Sequence, residues 1–496
     1  MASSEQLAQA ARHALEDWHG RKTPITPSVN VAVFDRSGVI AHRGWGEFQR
    51  DGRRPQLDTI YRIASMSKSF LVAAVLLLEE RGLVDTHAPV SRYVPEFRNY
   101  VDAFGVSVPV TVQHLMSNSS GLPEDNAWGD SQLGMSRAEL ARLVSEGLRF
   151  AAIPGTLYQY SNLGFAVLGM IIERVTGRLL PEVVEAELLA PVGLRHTHYD
   201  YADFPGEGEP GAGIAYGFTS FDRGTTWVRR PFGRAGALGC VGSMYSILPD
   251  IARWCGWLSR AFSPDDGDDA VLSRAARRRM QIGHTAIHDD DRVERPTLAD
   301  AGYGLGLVVE IDRELGRLVQ HSGGLPGFSS NMRWHPDSGI GVVVFTNTNG
   351  MPTREWTYEI LADTMRAADV PAQRIPLWPE TTSAARSIDA VLCAGGSLRE
   401  CAEVFTDNVF SDIPLDQRDN AIRALIAHQG GLVSAPDAGD LASRVLWAPS
   451  AAGVCWRVPC RGGDLHVRIE LTEVHHPRVQ RVVVELPPAA EHAGGS

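Results

Sequence analysis

Residues 61–70 read YRIASMSKSF, and the lysine inside that stretch decides how the chain is read. Among 47 lysines and arginines only Lys22 and Lys68 are lysines. Arginine serves nearly everywhere else a cation is wanted. Lys68 is followed by FLVAAVLLL, apolar on every face of a helix, which predicts a buried helix over about 65–81 stopped by Gly82. Ser65 and Lys68 are three residues apart, so on a helix their side chains are neighbours. Ser65 at the helix start also feels the positive end of the helix dipole, which favours negative charge on its oxygen. Burial disfavours a charged amine, and a neutral lysine can take a serine proton, whereas arginine keeps its own. On this reading Lys68 is the base for Ser65. The plainer alternative is a capping serine beside a snorkelling lysine.

Two further stretches carry chemistry. In PGTLYQYSNLGFAVLG (154–169), Tyr160 and Asn162 are one residue apart, so on an extended segment both point the same way. A phenol beside a lysine can shuttle protons, and an asparagine can bond both a lysine and a substrate amide. The competing reading makes Ser161 or Asn162 the cap of the next helix and Tyr160 a core residue. In VQHSGGLPGFSS (319–330), His321 and Gly323 alternate near a strand end, where glycine lets a substrate backbone approach. The peptide N–H groups of Gly324 and Ser65 are then placed to form an oxyanion hole.

Other features imply less. The 16 histidines make a lone histidine unremarkable, and His196, His198, His284, His288, His475 and His476 are given no role. There is no H-E-x-x-H, G-x-S-x-G or phosphate loop, and GYGLGL (302–307) lacks the strand-turn-helix setting of one. No metal or cofactor is expected. A formal charge of −12 argues against nonspecific nucleic-acid binding. The six cysteines form no C-x-x-C pair and fit buried thiols better than a disulfide frame; Cys455 and Cys460 alone are spaced to pair, across two strands. The first 24 residues read as an amphipathic helix without a secretory pattern, and the apolar runs are short of a membrane span, so a cytoplasmic protein without a membrane partner is expected.

Along the chain, a hairpin at 29–42 is followed by helices near 65–81, 111–120, 136–147 and 162–176. Strands follow at 303–311, 317–322, 330–335 and 341–347. That order predicts an α+β domain, an antiparallel sheet with flanking helices and a helical subdomain, over 1–370. VPAQRIPLWPETTS holds three prolines and no period, so 371–385 reads as a linker. Residues 386–488 read as a small α+β unit without an interpretable motif, with covering the active-site mouth and mediating self-association as its two alternatives, and 489–496 as a mobile tail.

Together S-M-S-K (65–68), Y-S-N (160–162) and H-S-G (321–323) resemble the serine β-lactamase and penicillin-binding protein superfamily. The likeness is greatest to class C β-lactamases, D-aminopeptidases, family VIII esterases and penicillin-binding-protein-type thioesterases. TVQHLMSNSSGLP and GALGCVGSMYSILPDIARW support it, and it covers about residues 10–365. The resemblance implies a β-lactamase/transpeptidase-like fold with Ser65 as nucleophile and Lys68 as base. It implies that Tyr160 protonates the leaving group and activates water, that Asn162 orients substrate, and that His321 stands where relatives place the lysine of K-T-G. It further implies a serine hydrolase cleaving an amide or ester of a small peptide, D-amino-acid derivative or simple ester through an acyl-enzyme. The alternatives are an acyl transferase or cyclising thioesterase, and a non-catalytic peptide-binding homologue.

Overall fold

The computed structural model describes residues 3–204, 213–263, 269–288, 295, 297–370, 376–433 and 440–487. The chain divides into two compact units, Met1–Ala372 and Gln373–Ser496.

The first unit is built on eight antiparallel strands. They are β1 (Ser28–Asp35), β2 (Gly38–Gly46), β3 (Thr285–Ala286), β4 (Leu298–Tyr303), β5 (Val308–Asp312), β6 (Gly316–Leu325), β7 (Phe328–Trp334) and β8 (Gly341–Thr346). Their order is β2-β1-β8-β7-β6-β5-β4-β3, so the first hairpin pairs with the last strand, Val31 opposite Val344. The run read as one strand over 303–311 is two, because the chain bends at Gly304–Leu307, where Gly306 takes φ +70°.

Both faces of the sheet are covered, so consecutive apolar residues are buried in β1 (Val31, Ala32, Val33, Phe34) and β8 (Val342, Val343, Val344, Phe345). Val29, Val31 and Val33 pack with α1 (Ser4–Arg21) and α5 (Thr353–Ala367) through Leu15, Trp18, Trp356 and Ile360. The alternate residues Ala32 and Phe34 face the other way, into the large core around α2 (Ser67–Glu80). There Phe70 stacks on Trp254 of α4 (Leu248–Arg260) at 4.3 Å. Every residue of α2 from Ser67 to Leu78 is buried. Against α2 lies α3 (Asn162–Thr176), capped by Ser161, whose Oγ accepts from Gly164 N at 3.1 Å.

The second unit is a four-stranded antiparallel sheet, β9 (Val445–Ser450), β10 (Gly453–Cys460), β11 (Gly463–Leu471) and β12 (Val479–Glu485), in that order. Helix α6 (Pro379–Cys393) packs Ala384, Ala385, Ile388 and Leu392 into its core with Trp456 and Val467. The stretch read as a linker is thus helical from Pro379 onward, because proline at the first helical position starts a helix rather than breaking one. Residues 371–375 and the tail 489–496 fall outside the described residues. Cys455 and Cys460 are both free, and both belong to β10. An odd separation on one strand sends their side chains to opposite faces, so no pairing across strands arises.

Candidate active site

The site is built on a short 3₁₀ turn, Ala64–Met66, that leads into α2. The turn is held at Ile63, whose N–H donates to Met244 O at 2.9 Å and whose O accepts from Ser330 Oγ at 2.9 Å. Ala64 takes a left-handed φ of +50°, a conformation a side-chain-bearing residue adopts at a cost. Gly323 of β6 lies directly against this turn.

Ser65 and Lys68 meet as their spacing requires, with Lys68 Nζ 3.1 Å from Ser65 Oγ. Lys68 has no exposed surface, and Nζ also donates to Val241 O at 3.0 Å. Burial brings its pKa down to about 7, although Asp130, Cys240 and Asp125 pull the other way. The snorkelling alternative therefore does not describe Lys68. Nζ also lies 4.8 Å from the ring centre of Tyr160. The Tyr160 hydroxyl bonds to Ser65, and burial raises its pKa well above the ordinary phenol value, so it stands as a proton donor.

Tyr160 is bracketed by one residue. Asn118 O accepts from Gln159 N at 2.9 Å, and Asn118 Oδ1 accepts from Ser161 N at 3.1 Å. The phrase containing Asn118 was visible in the sequence, but not this role. Tyr160 lines the cavity in front of Ser65, whereas Asn162 is the first residue of α3, after the extended Ser161. The capping reading of Ser161 is the one observed. Asn162 is fully buried, with its Nδ2 3.4 Å from Asn126 Oδ1, and does not line the cavity in front of Ser65. Its N–H donates to Asp125 Oδ1 at 2.6 Å, and Leu163 N to Asp125 Oδ2 at 2.8 Å. Asp125 therefore ties the preceding loop to the head of α3, a contact no motif announced.

His321 lies on β6 with both ring nitrogens engaged: Nδ1 donates to Ser322 O at 2.6 Å, and Nε2 accepts from Tyr303 Oη at 3.1 Å. Burial, then the neighbouring Lys68, lowers its pKa to about 3, so it is neutral and offers no charge to a substrate. Strand β5 pairs with β6 only as far as Gln320, leaving the end of β6 with an open edge. Ser322 O points to that edge, since it takes the imidazole proton. Strand alternation sends the N–H of Gly324 to the same edge. Position 324 has no atoms within 4 Å of where a Cβ would stand.

In front of these groups is a cavity of about 620 Å³. Its walls include Ser65, Tyr160, His321, Gly323 and Gly324. They also include three charged residues that sequence reasoning did not single out, Glu124, Arg354 and Glu355. Arg354 Nη2 lies 3.5 Å from Glu310, a buried carboxylate that Arg333 and Arg295 also contact at 2.6 and 2.8 Å. Among the described residues no three His, Cys, Asp or Glu side chains gather as metal ligands, and no helix is long and apolar enough to cross a membrane.

Residues 18–364 match the sequence profile of the β-lactamase family. The chain belongs to that family. Esterase EstB of Burkholderia gladioli is 31% identical over 362 residues, 64% of this chain and 85% of the esterase. Penicillin-binding protein 4* of Bacillus subtilis (strain 168) is 25% identical over 316 residues, 61% of this chain; the match spans 64% of that protein's length. Among solved structures, the octameric penicillin-binding protein homologue from Pyrococcus abyssi superposes with a TM-score of 0.58 at 20% identity, over 96% of this chain and 99% of that one. EstCE1, a hydrolase with promiscuous acyltransferase activity, gives 0.57 at 21%, over 73% and 99%. The β-lactamase fold expected from the three motifs is thus the fold observed.

Proposed function

We propose that this member of the β-lactamase family is a serine hydrolase that cleaves an amide or ester through an acyl-enzyme on Ser65. The observation that carries the reading is the pairing of a fully buried Lys68, its pKa down at about 7, with Ser65 Oγ at the cavity wall. In the forward step neutral Lys68 takes the Ser65 proton as Oγ bonds to the carbonyl carbon. The oxygen that becomes negative is met by the N–H groups of Ser65 and Gly324. Tyr160, a protonated phenol, hands a proton to the leaving amine or alcohol as its bond to carbon breaks, and takes in its place the proton that Lys68 received from Ser65. Water then bonds to the acyl carbon as Tyr160 and Lys68 take one of its protons, the bond to Ser65 Oγ breaks, and that proton returns to Oγ. Asn162 acts from behind, setting the entry of α3 rather than touching substrate.

The charges of the cavity narrow the substrate. Glu124 and Glu355 suit a free ammonium, and Arg354 suits a carboxylate, which favours a small peptide or aminoacyl derivative over a plain ester. Neutral His321 leaves Arg354 as the cation for that carboxylate.

Acyl transfer to an amine is the second reading, supported by the description of EstCE1, whose fold this chain shares. The octameric state of the Pyrococcus homologue supports self-association, which the native mass in solution would test.

The test is labelling with a fluorophosphonate followed by peptide mass mapping, with Ser65→Ala as the blank. A single adduct on Ser65 is expected; its absence would favour a peptide-binding homologue. A panel of D- and L-aminoacyl amides, p-nitrophenyl esters and nitrocefin then ranks substrates. The ratio of hydrolysed to aminolysed product separates hydrolase from transferase.

A further inference from the structure

The stretch GYGLGL (302–307) is the bend between β4 and β5, and it reaches α2, the turn before Asn118, and β6. At one end Gly306 lies against α2, where a Cβ would stand 2.8 Å from Val72 Cγ2 and 3.1 Å from the carbonyl oxygen of Lys68 itself. The Gly306 N–H donates to Met116 O at 3.0 Å, two residues before Asn118, which brackets Tyr160. At the other end Tyr303 meets His321 of β6, Oη to Nε2 at 3.1 Å. Between the two ends Gly304 N donates to Leu307 O at 2.7 Å and closes the bend.

Tyr303 is fully buried and stands behind the cavity wall rather than in it. Tyr158, Tyr160 and His321, which do line the cavity, pack on its ring with centres 5.7, 6.4 and 6.1 Å away. The contacts with Tyr160 and His321 are edge-to-face, at 81° and 83°, the geometry aromatic rings prefer.

The direction of the Tyr303–His321 hydrogen bond follows from counting protons. Neutral His321 carries one ring proton. That proton is on Nδ1, because Nδ1 meets Ser322 O at 2.6 Å and a carbonyl oxygen only accepts. Nε2 is therefore a lone pair, and Tyr303 Oη donates to it. A buried lone pair left without a donor costs free energy. On the cavity side the neighbouring phenol is Tyr160, its ring centre 6.3 Å from the imidazole and its hydroxyl bonded to Ser65. A free Nε2 would compete with Ser65 for that hydroxyl.

We propose that Tyr303 is a positioning residue of this site: its hydroxyl fixes His321 as the Nδ1–H tautomer, and by occupying Nε2 it reserves the Tyr160 proton for the leaving group. The second clause rests on the acyl-enzyme reading; the first does not. His321 is then a fixed part of the wall and not a base.

Nitrogen-15 labelling of histidine in the full chain tests the first clause, with His321→Leu identifying the resonances. In the native protein Nδ1 should carry the proton and Nε2 should resonate as a hydrogen-bonded lone pair. In Tyr303→Phe, which keeps the ring, Nε2 should shift to the position of a free lone pair. A proton on Nε2 in the native protein, or an Nε2 resonance unmoved in Tyr303→Phe, overturns the tautomer, so the native spectrum decides even where a variant does not fold. The second clause is read from kcat/KM, which reports acylation, on an aminoacyl amide and a p-nitrophenyl ester of the same acyl group. Nitrophenolate departs without a proton, whereas an amine needs one. Tyr303→Phe should lower the amide value about tenfold, part of the 10²–10⁴ that a general acid supplies, and the ester value by less than about twofold. On a His321→Leu background the same substitution should change the amide value by less than about twofold, because the competing lone pair is gone. Equal losses on amide and ester, or a tenfold loss on both backgrounds, would make Tyr303 a packing residue alone and overturn the second clause. If native Ser65 takes no fluorophosphonate label, the acyl-enzyme reading fails and the second clause with it, while the nitrogen spectrum still decides the first.

Discussion

A Cβ built on Gly323 would stand 2.2 Å from the carbonyl oxygen of Ile63. It would also stand 2.3 Å from Ser330 Oγ, the group that bonds that same oxygen. Glycine is needed here because β6 presses against the turn that presents Ser65. Gly323→Ala is expected to keep the fold but to lose about 1–3 kcal/mol, the usual cost of overpacking. Displacing the turn parts Ser65 Oγ from the amine, so labelling of Ser65 should fall at least tenfold. A chemical melt and the fluorophosphonate rate measure the two effects. Gly324→Ala, where nothing stands in the way, should leave stability nearly unchanged.

The pH profile has a definite shape. Lys68 must be neutral to act, and its pKa is lowered to about 7, so the labelling rate should rise with pH up to about 7 and then level. His321, lowered to about 3, is neutral throughout and adds no inflection between pH 5 and 9. Tyr160, raised well above 10, keeps its proton, so no falling limb is expected below pH 10. Asp130 sits in the field of Lys68 and raises its pKa by attraction, as does Asp125. Asp130→Asn should therefore shift the rising limb downward, by about one pH unit or less. An unshifted or upward-shifted limb would contradict this electrostatic account.

Replacing the amine separates its two consequences. Lys68→Arg retains a cation that cannot release its proton, and the rate should drop about 10²–10⁴-fold, the range of a lost general base. Lys68→Met removes the buried amine altogether. The native lysine binds fewer protons than the unfolded one between about pH 7 and its ordinary value of 10.5, so its cost to stability is greatest at and below pH 7 and fades as pH rises. Lys68→Met should be inactive yet melt higher than the native protein at pH 6, with the advantage gone near pH 11. Calorimetry at several pH values follows it.

The pairing of Ser65 with Lys68 was legible because it is local: a three-residue spacing and an apolar run are written in consecutive letters. The strands β1, β6, β7 and β8 were legible for the same reason, since burial on both faces makes each a dense apolar or glycine-marked segment. What was not legible depends on residues far apart in the chain. Nothing near Val241 says that its carbonyl will meet Lys68, and nothing in SNSSG says that Asn118 will brace both neighbours of Tyr160. That Asn162 is buried at the head of α3 behind the cavity wall depends on Asp125 and Asn126, more than 30 residues earlier in the chain. Arg354 was hidden among 45 arginines until the fold brought it to the cavity.

Arg354 yields the prediction that bears most on substrate. Its partner Glu310 is shared with Arg333 and Arg295, and these cations hold that carboxyl well below its usual range against the opposing effect of burial. Glu310 is thus ionised at any working pH but divided among three guanidinium groups. The weakest of its contacts, 3.5 Å, is the one to Arg354. Arg354 therefore has charge left for a ligand in the cavity. Arg354→Gln should raise KM about tenfold for substrates with a free carboxylate, equivalent to about 1.4 kcal/mol, while kcat/KM for neutral p-nitrophenyl esters stays within twofold. Glu124→Gln with Glu355→Gln should act in the opposite sense, weakening aminoacyl amides with a free ammonium and sparing the same esters. If both variants affect neutral esters as strongly as charged substrates, these residues shape the cavity rather than read charge.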